Sequence, residues 1–62
     1  MQPRNNQIKP GKRFYALYQG VVRIIGHPRR IPGGYVVDVE KRRNGSFYHW
    51  SEPVCNLRFL EQ

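Results

Sequence analysis

Gly33-Gly34-Tyr35-Val36-Val37-Asp38-Val39-Glu40, continuing through Lys41-Arg42-Arg43 into Asn44-Gly45, decides the fold. Tyr35, Val37 and Val39 alternate with Val36, Asp38 and Glu40, and a period of two sends the first set to one face of a strand and the second set to the other. Asn44-Gly45 then predicts a tight hairpin. The two-residue turn whose twist suits paired strands needs positive φ at both positions, and Asn followed by Gly adopts it at least cost. The next strand therefore begins at Ser46.

Outward from this hairpin, the preceding chain supplies two more strands. In Arg13-Phe14-Tyr15-Ala16-Leu17-Tyr18 the residues Phe14, Ala16 and Tyr18 share a face, and the aromatic content favours an extended chain. Gln19-Gly20 makes a turn, and Val21-Val22-Arg23-Ile24-Ile25 follows as a strand of stiff β-branched residues. His27 to Gly34 holds two prolines and two glycines, which predicts a long loop rather than a ladder. Residues 35–42 then form the third strand and 46–50 the fourth. Beyond them Pro53 is placed to start a helical turn, Val54 and Leu57 stand three apart, and a last short strand is predicted over Arg58 to Leu60. Met1 to Lys9 is polar, with Ile8 its only sizeable apolar group after Met1. It cannot repay its own ordering entropy. The expected organisation is a flexible basic arm over residues 1–10 and one domain over 11–62. Its class is all-β: a small SH3-like barrel of four to five antiparallel strands with one short 3-10 turn before the last strand. Closing the sheet removes the exposed edges that invite aggregation.

Sixty-two residues make at most one domain, and a chain of this length hides only about 60% of the surface it exposes when unfolded. A large private active site is therefore not expected. The functional site is either a shallow surface or a cavity built between copies in a homo-oligomer. Eleven Lys and Arg against four Asp and Glu give a net charge of +7, and residues 1–37 carry seven of those cations and no acid. Nucleic acid is the partner such a field attracts most directly. The bland reading is a charge that serves solubility. Cys55 is the only cysteine, so no internal disulfide forms and a reducing cytoplasm is the expected compartment. No apolar run approaches the ~20 residues that span a bilayer, and residues 1–6 lack the apolar stretch of a secretory signal. A membrane partner is not expected.

In an up-and-down meander Lys12 and Arg13 fall beside His27, Arg29 and Arg30 at one end, and Lys41, Arg42 and Arg43 fall at the other, roughly 20 to 25 Å away. That spacing follows several phosphates of one duplex strand. Aromatic residues number eight, too many for so small a core. If Phe47 points inward, His49 shares its face of the strand, and Tyr48 and Trp50 share the opposite, outward one. An exposed Tyr48 and Trp50 on a basic barrel make a platform for stacking unpaired bases. The competing roles are core packing and a protein interface. Asp38 and Glu40 read as cross-strand ion pairs with Arg23 and Lys41. His27, His49 and Cys55 match no metal-ligand spacing, and Cys55 reads as a small core residue. No nucleophile–base pair and no phosphate-cradling glycine loop is visible, so neither an enzyme nor a cofactor is expected.

Two resemblances to known families follow from particular residues. Ala16-Leu17-Tyr18 looks like the Ala-Leu-Tyr opening of eukaryotic SH3 domains, although Gln19-Gly20 stands where their acidic loop begins. More of the chain is similar to the plasmid-borne type II dihydrofolate reductases: Tyr18-Gln19-Gly20, a β-branched strand, Pro32-Gly33-Gly34-Tyr35-Val36-Val37, and a closing Pro53-Val54 with Leu57 soon after. That resemblance implies an SH3-like barrel, four copies of which enclose one pore for folate and NADPH. Where the family lines its pore with Val-Gln-Ile-Tyr, this chain has Phe47-Tyr48-His49-Trp50, so the resemblance supports the fold and carries the activity only as an alternative.

The leading expectation is a small nucleic-acid-binding module, with DNA favoured over RNA. Lys12, Arg13, Arg29, Arg30, Lys41, Arg42 and Arg43 contact phosphates, and Tyr48 and Trp50 contact bases. The alternatives are a protein-interaction regulator of phage or plasmid type, using the aromatic face, and an oligomeric reductase-like enzyme.

Overall fold

The chain, in a computed structural model that describes residues 2–60, builds six strands: β1 (Arg13–Ala16), β2 (Gly20–Ile24), β3 (Arg29–Ile31), β4 (Gly34–Arg43), β5 (Ser46–Pro53) and β6 (Leu57–Arg58). Single 3-10 turns lie at Asn5–Gln7 and Val54–Asn56. Met1, at the start of the expected arm, and Glu61 and Gln62, at the end of the expected barrel, lie outside the described residues. The strands form one antiparallel sheet that curls into an SH3-like half-barrel, with the order β3-β4-β2-β1-β6 and β5 on the other edge of β4.

β4 and β5 form the longest pairing. Asn44 and Gly45 have φ of 53° and 83°, the left-handed values the two-residue turn demands. That turn fixes a register running without a break from Arg43 opposite Ser46 to Val36 opposite Pro53. The other edge of β4 is shared, with β2 at Glu40 and Val39 and β3 from Val36 to Gly34. β1 pairs with β2 along its whole length and with β6 at Tyr15 and Ala16.

The core is the inner face of this curl. Phe14 and Ala16 of β1, Val22 and Ile24 of β2 and Val37 and Val39 of β4 meet Val54 and Leu57 from the second 3-10 turn and β6, with Trp50 and Phe59 packed against them. The Phe14 and Phe59 rings meet at a tilt of 55° with centroids 5.7 Å apart, a favourable aromatic geometry. Among the described residues no helix is long and apolar enough to cross a membrane.

The structure corrects several local expectations; the last strand, for one, spans Leu57–Arg58 and not Arg58 to Leu60. Residues 27–34 are not one long loop: Arg29–Ile31 pairs with β4, because Pro28 and Pro32 flank the three paired residues instead of interrupting them. β1 stops at Ala16, so Tyr18 leaves the face of Phe14 and stands 95% exposed in the following turn with a φ of 69°. Cys55 is exposed: Val54 and Leu57, three apart, take the inner side of the 3-10 turn and leave Cys55 outside. Residues 4–11 do not stand off the barrel. The backbone N–H of Arg4 donates to Gln7 Oε1 at 2.8 Å, that of Gly11 donates to the carbonyl of Ile24 at 2.8 Å, and Ile8 between them is 1% exposed within the core. Pro3 is buried as well, so two apolar side chains hold this otherwise polar segment on the barrel.

Ile8 is therefore a core residue, and Ile8→Ala is expected to cost about 2–5 kcal/mol, as for other buried Ile truncations. Urea denaturation followed by circular dichroism checks this, and a midpoint equal to that of the parent would detach the segment from the core.

Candidate nucleic-acid interface

The hairpin register decides which side chains share a face. Opposite residues of β4 and β5 point the same way, so Lys41 stands with Tyr48 and Val39 with Trp50 on the inner side, while Arg42 stands with Phe47 and Glu40 with His49 on the outer side. At the hairpin end the inner side opens. Lys41, Arg43, Tyr48 and Trp50, with Gln19 from the β1–β2 turn, line an open cleft of about 240 Å³. Gly20 makes room for Lys41 to cross this end of the sheet. A Cβ there would stand 2.9 Å from Lys41 Nζ, and its φ of 87° suits glycine. Lys41 Nζ comes within 3.5 Å of the Val21 carbonyl, a long contact that leaves the ammonium open to other partners.

Trp50 divides its surface between two roles. Its ring packs on the core while part of it lines the cleft, and its indole N–H donates to Glu52 Oε1 at 2.6 Å. Asn56 Nδ2 donates to Glu52 Oε2 at 2.9 Å, so both oxygens of a carboxyl group only 4% exposed are satisfied by neutral donors. Glu52 thus anchors the indole from below, and it does so without drawing a cation out of the cleft. Tyr48, 53% exposed, offers its ring beside Trp50. The arrangement presents two aromatic surfaces flanked by two positive charges, the combination that holds a stacked base and its phosphate.

Four of the nine sequence-predicted residues, Lys41, Arg43, Tyr48 and Trp50, are thus brought together. The other five do not join them in this cleft. Lys12 lies 5.7 Å from the centre of the Phe14 ring, a cation–π distance at the start of β1. Arg13 and Arg42 stand on the outer face of the sheet. Arg29 is consumed locally: its Nη1 donates to Asp38 Oδ1 at 3.0 Å and its Nη2 to Ser51 Oγ at 2.9 Å. Arg30 pairs opposite Tyr35, six residues along β4 from Lys41 and so about 20 Å away. Of the expected cluster of Lys12 and Arg13 with Arg29 and Arg30, Arg29 is drawn to Asp38 and Ser51 while Arg13 stands opposite Arg23.

Glu40 pairs with Arg23 at 3.9 Å, as its position predicts, and also lies 3.1 Å from His49 Nε2. Asp38 takes Arg29 rather than Lys41. Sequence reasoning missed Gln19 and Glu52. Glu52 was findable, since it stands two residues from Trp50 and so on the same inward face. Gln19 had no signal beyond its place in the turn.

No family model, curated protein or solved structure matches this chain. The likeness to the type II dihydrofolate reductases therefore rests on the residues quoted for it alone.

Two predictions follow from the polar contacts. The Ser51 hydroxyl, which donates to Asp38 Oδ1 at 2.8 Å, and then the Arg29 guanidinium hold the Asp38 carboxyl below its usual range. A depressed folded pKa gives stability that is fully present above the unfolded value, near 3.9, and is lost as pH falls through the folded one. The gap in Tm between the parent and Asp38→Asn is therefore expected to be constant from pH 7 to about 5 and to close below about pH 4. A gap that widens in acid would refute the assignment. Trp50→Phe removes the donor to Glu52 Oε1 inside a nearly dry site, at an expected cost of about 1–3 kcal/mol. Parallel denaturation of Trp50→Phe and of Trp50→Phe with Glu52→Leu separates the unsatisfied carboxyl oxygen from lost ring packing: recovery in the double variant is the expected result.

Proposed function

We propose that this chain is a small nucleic-acid-binding module that holds unpaired bases in the cleft between Lys41, Arg43, Tyr48 and Trp50. The observation that carries the reading is their convergence. Two cations that form no salt bridge among the described residues and two partly exposed rings line one open cleft. Phosphates neutralise the cations and release counterions, while bases stack on the rings whatever their identity. Affinity on this reading is salt-dependent and weakly sequence-dependent. The module binds and does not catalyse, and the cytoplasm, with DNA as the first ligand to test, belongs to the same reading.

A stack on Trp50, the only tryptophan, quenches its emission, which makes the site self-reporting. Fluorescence titration with single-stranded DNA, single-stranded RNA and duplex DNA at several salt concentrations is the test. Micromolar or tighter single-strand binding at physiological salt, with quenching, is expected. Tyr48→Ala should weaken it about 5- to 150-fold, the equivalent of ~1–3 kcal/mol for one stacked base. Lys41→Gln with Arg43→Gln should flatten the log–log salt slope by about 1.4, at about 0.7 per phosphate. Binding indifferent to all three substitutions, or absent at low salt, would reject the cleft. Retention of one nuclease-resistant protein partner through Tyr48 would turn it into a protein-interaction surface.

A further inference from the structure

β4 carries Lys41, Arg42 and Arg43 in succession, and a strand sends alternate side chains to opposite faces. The basic run is therefore split. Arg42 stands behind the cleft with its guanidinium 5.9 Å from the centre of the Phe47 ring. Two more arginines reach the same outer face through the ladder, Arg13 directly opposite Arg23 and Arg23 directly opposite Glu40. Arg13, Arg23 and Arg42, with Val21, Glu40, Phe47 and a part of Lys41, which also lines the cleft, border a shallow open groove of about 380 Å³.

The charges of this groove are not balanced from within. Glu40 is its only acid, and it is divided between Arg23 at 3.9 Å and His49 at 3.1 Å. Among the described residues Arg13 and Arg42 form no salt bridge. Arg13 and Arg23 also oppose like charges directly across a strand pair, an arrangement that disfavours the sheet unless an anion lies over both. The chemistry differs from that of the cleft. Three guanidinium forks suit the paired oxygens of phosphates, and the one ring present, Phe47, is already accompanied by Arg42. Such a face takes a backbone and leaves the bases unread.

We infer that the outer face binds the phosphate backbone of a second nucleic-acid segment, so that one copy of the chain bridges two strands, one by its bases in the cleft and one by its backbone behind it. The inference rests on the cleft reading. The described residues span 33 × 26 × 20 Å, so the two segments are held within energy-transfer range of each other.

The test mixes a donor-labelled oligothymidylate with an acceptor-labelled duplex of unrelated sequence and adds the protein at equimolar ratio. Energy transfer is expected together with Trp50 quenching. Arg13→Gln, Arg23→Gln and Arg42→Gln combined should reduce transfer at least tenfold while oligothymidylate still quenches Trp50. Circular dichroism melting verifies the fold, and if the triple variant does not fold, Arg13→Gln with Arg42→Gln serves, with the same expectation. Quenching without transfer overturns the bridge and leaves the cleft standing. Transfer undiminished in the variants overturns it too, since two clefts of an oligomer would then do the joining. Absence of quenching removes the cleft and the bridge with it. Polyglutamate bound through Arg42 where duplex is not would overturn the assignment in favour of an acidic protein.

Discussion

The parity of the β4–β5 register governs everything else in this molecule. A two-residue turn with both residues at positive φ allows only a register in which Arg43 faces Ser46, and from there each residue of β5 inherits the face of its partner on β4. Tyr48, Trp50 and Glu52 join Lys41, Val39 and Val37; Phe47, His49 and Ser51 join Arg42, Glu40 and Asp38. Slippage by one residue would exchange the faces of the whole strand. It would separate Trp50 and Glu52 from the core side and take Ser51 away from Asp38. Both the buried carboxyl and the surface ion network therefore report on the same turn.

That turn also settles how the three acids among the described residues are used. Asp38, Glu40 and Glu52 are each engaged: by Ser51 and Arg29, by Arg23 and His49, and by Trp50 and Asn56. Glu52 is the telling case. A carboxyl group buried in a small core would ordinarily call for a cation, yet neutral donors satisfy it here, so Lys41 and Arg43 stay uncommitted a few residues away. Exposed ion pairs contribute little to stability. Their larger effect in this chain is selective: they neutralise Arg29 and part of Arg23 and leave the field to the others.

How far the sequence could be read follows the range of the forces involved. The alternation from Tyr35 to Glu40, the Asn44-Gly45 turn and the 3-10 turn near Pro53 are local signals, and the structure has a strand, a hairpin and a turn in those places. That Phe47 and Tyr48 take opposite faces was legible for the same reason, but which of them faces inward was not: the structure turns Tyr48 and Trp50 to the inner side and leaves Phe47 outside. Non-local packing was not legible. Ile8 lies in a polar segment and is recruited only because the curled sheet leaves a gap for it, and β3 exists only because β4 is long enough to extend past β2 and offer Val36, Tyr35 and Gly34 an unpaired edge. In the candidate site, Lys41, Arg43, Tyr48 and Trp50 lie within one hairpin and could be grouped by counting. Arg13, Arg29 and Arg30 depend on pairings between distant strands, which counting along the chain does not supply.

A basic run has a different meaning on a strand than on a helix or in a loop. Three successive cations on a loop make one patch. On β4 they make two, back to back, and the thinner the domain the more the two resemble separate sites. A core of few residues leaves this sheet nearly as much outer surface as inner, so an excess of charge cannot be confined to one side. The same economy explains the aromatics. Phe14 and Phe59 serve the core, Trp50 serves core and cleft together, and Tyr48 and Phe47, neighbours in sequence, stand more than half exposed on opposite faces, each beside a cation. In a larger protein a ring and a charge together on each face of one hairpin would be incidental. Here they are most of the surface the hairpin has, which is why the two faces are best understood as a pair.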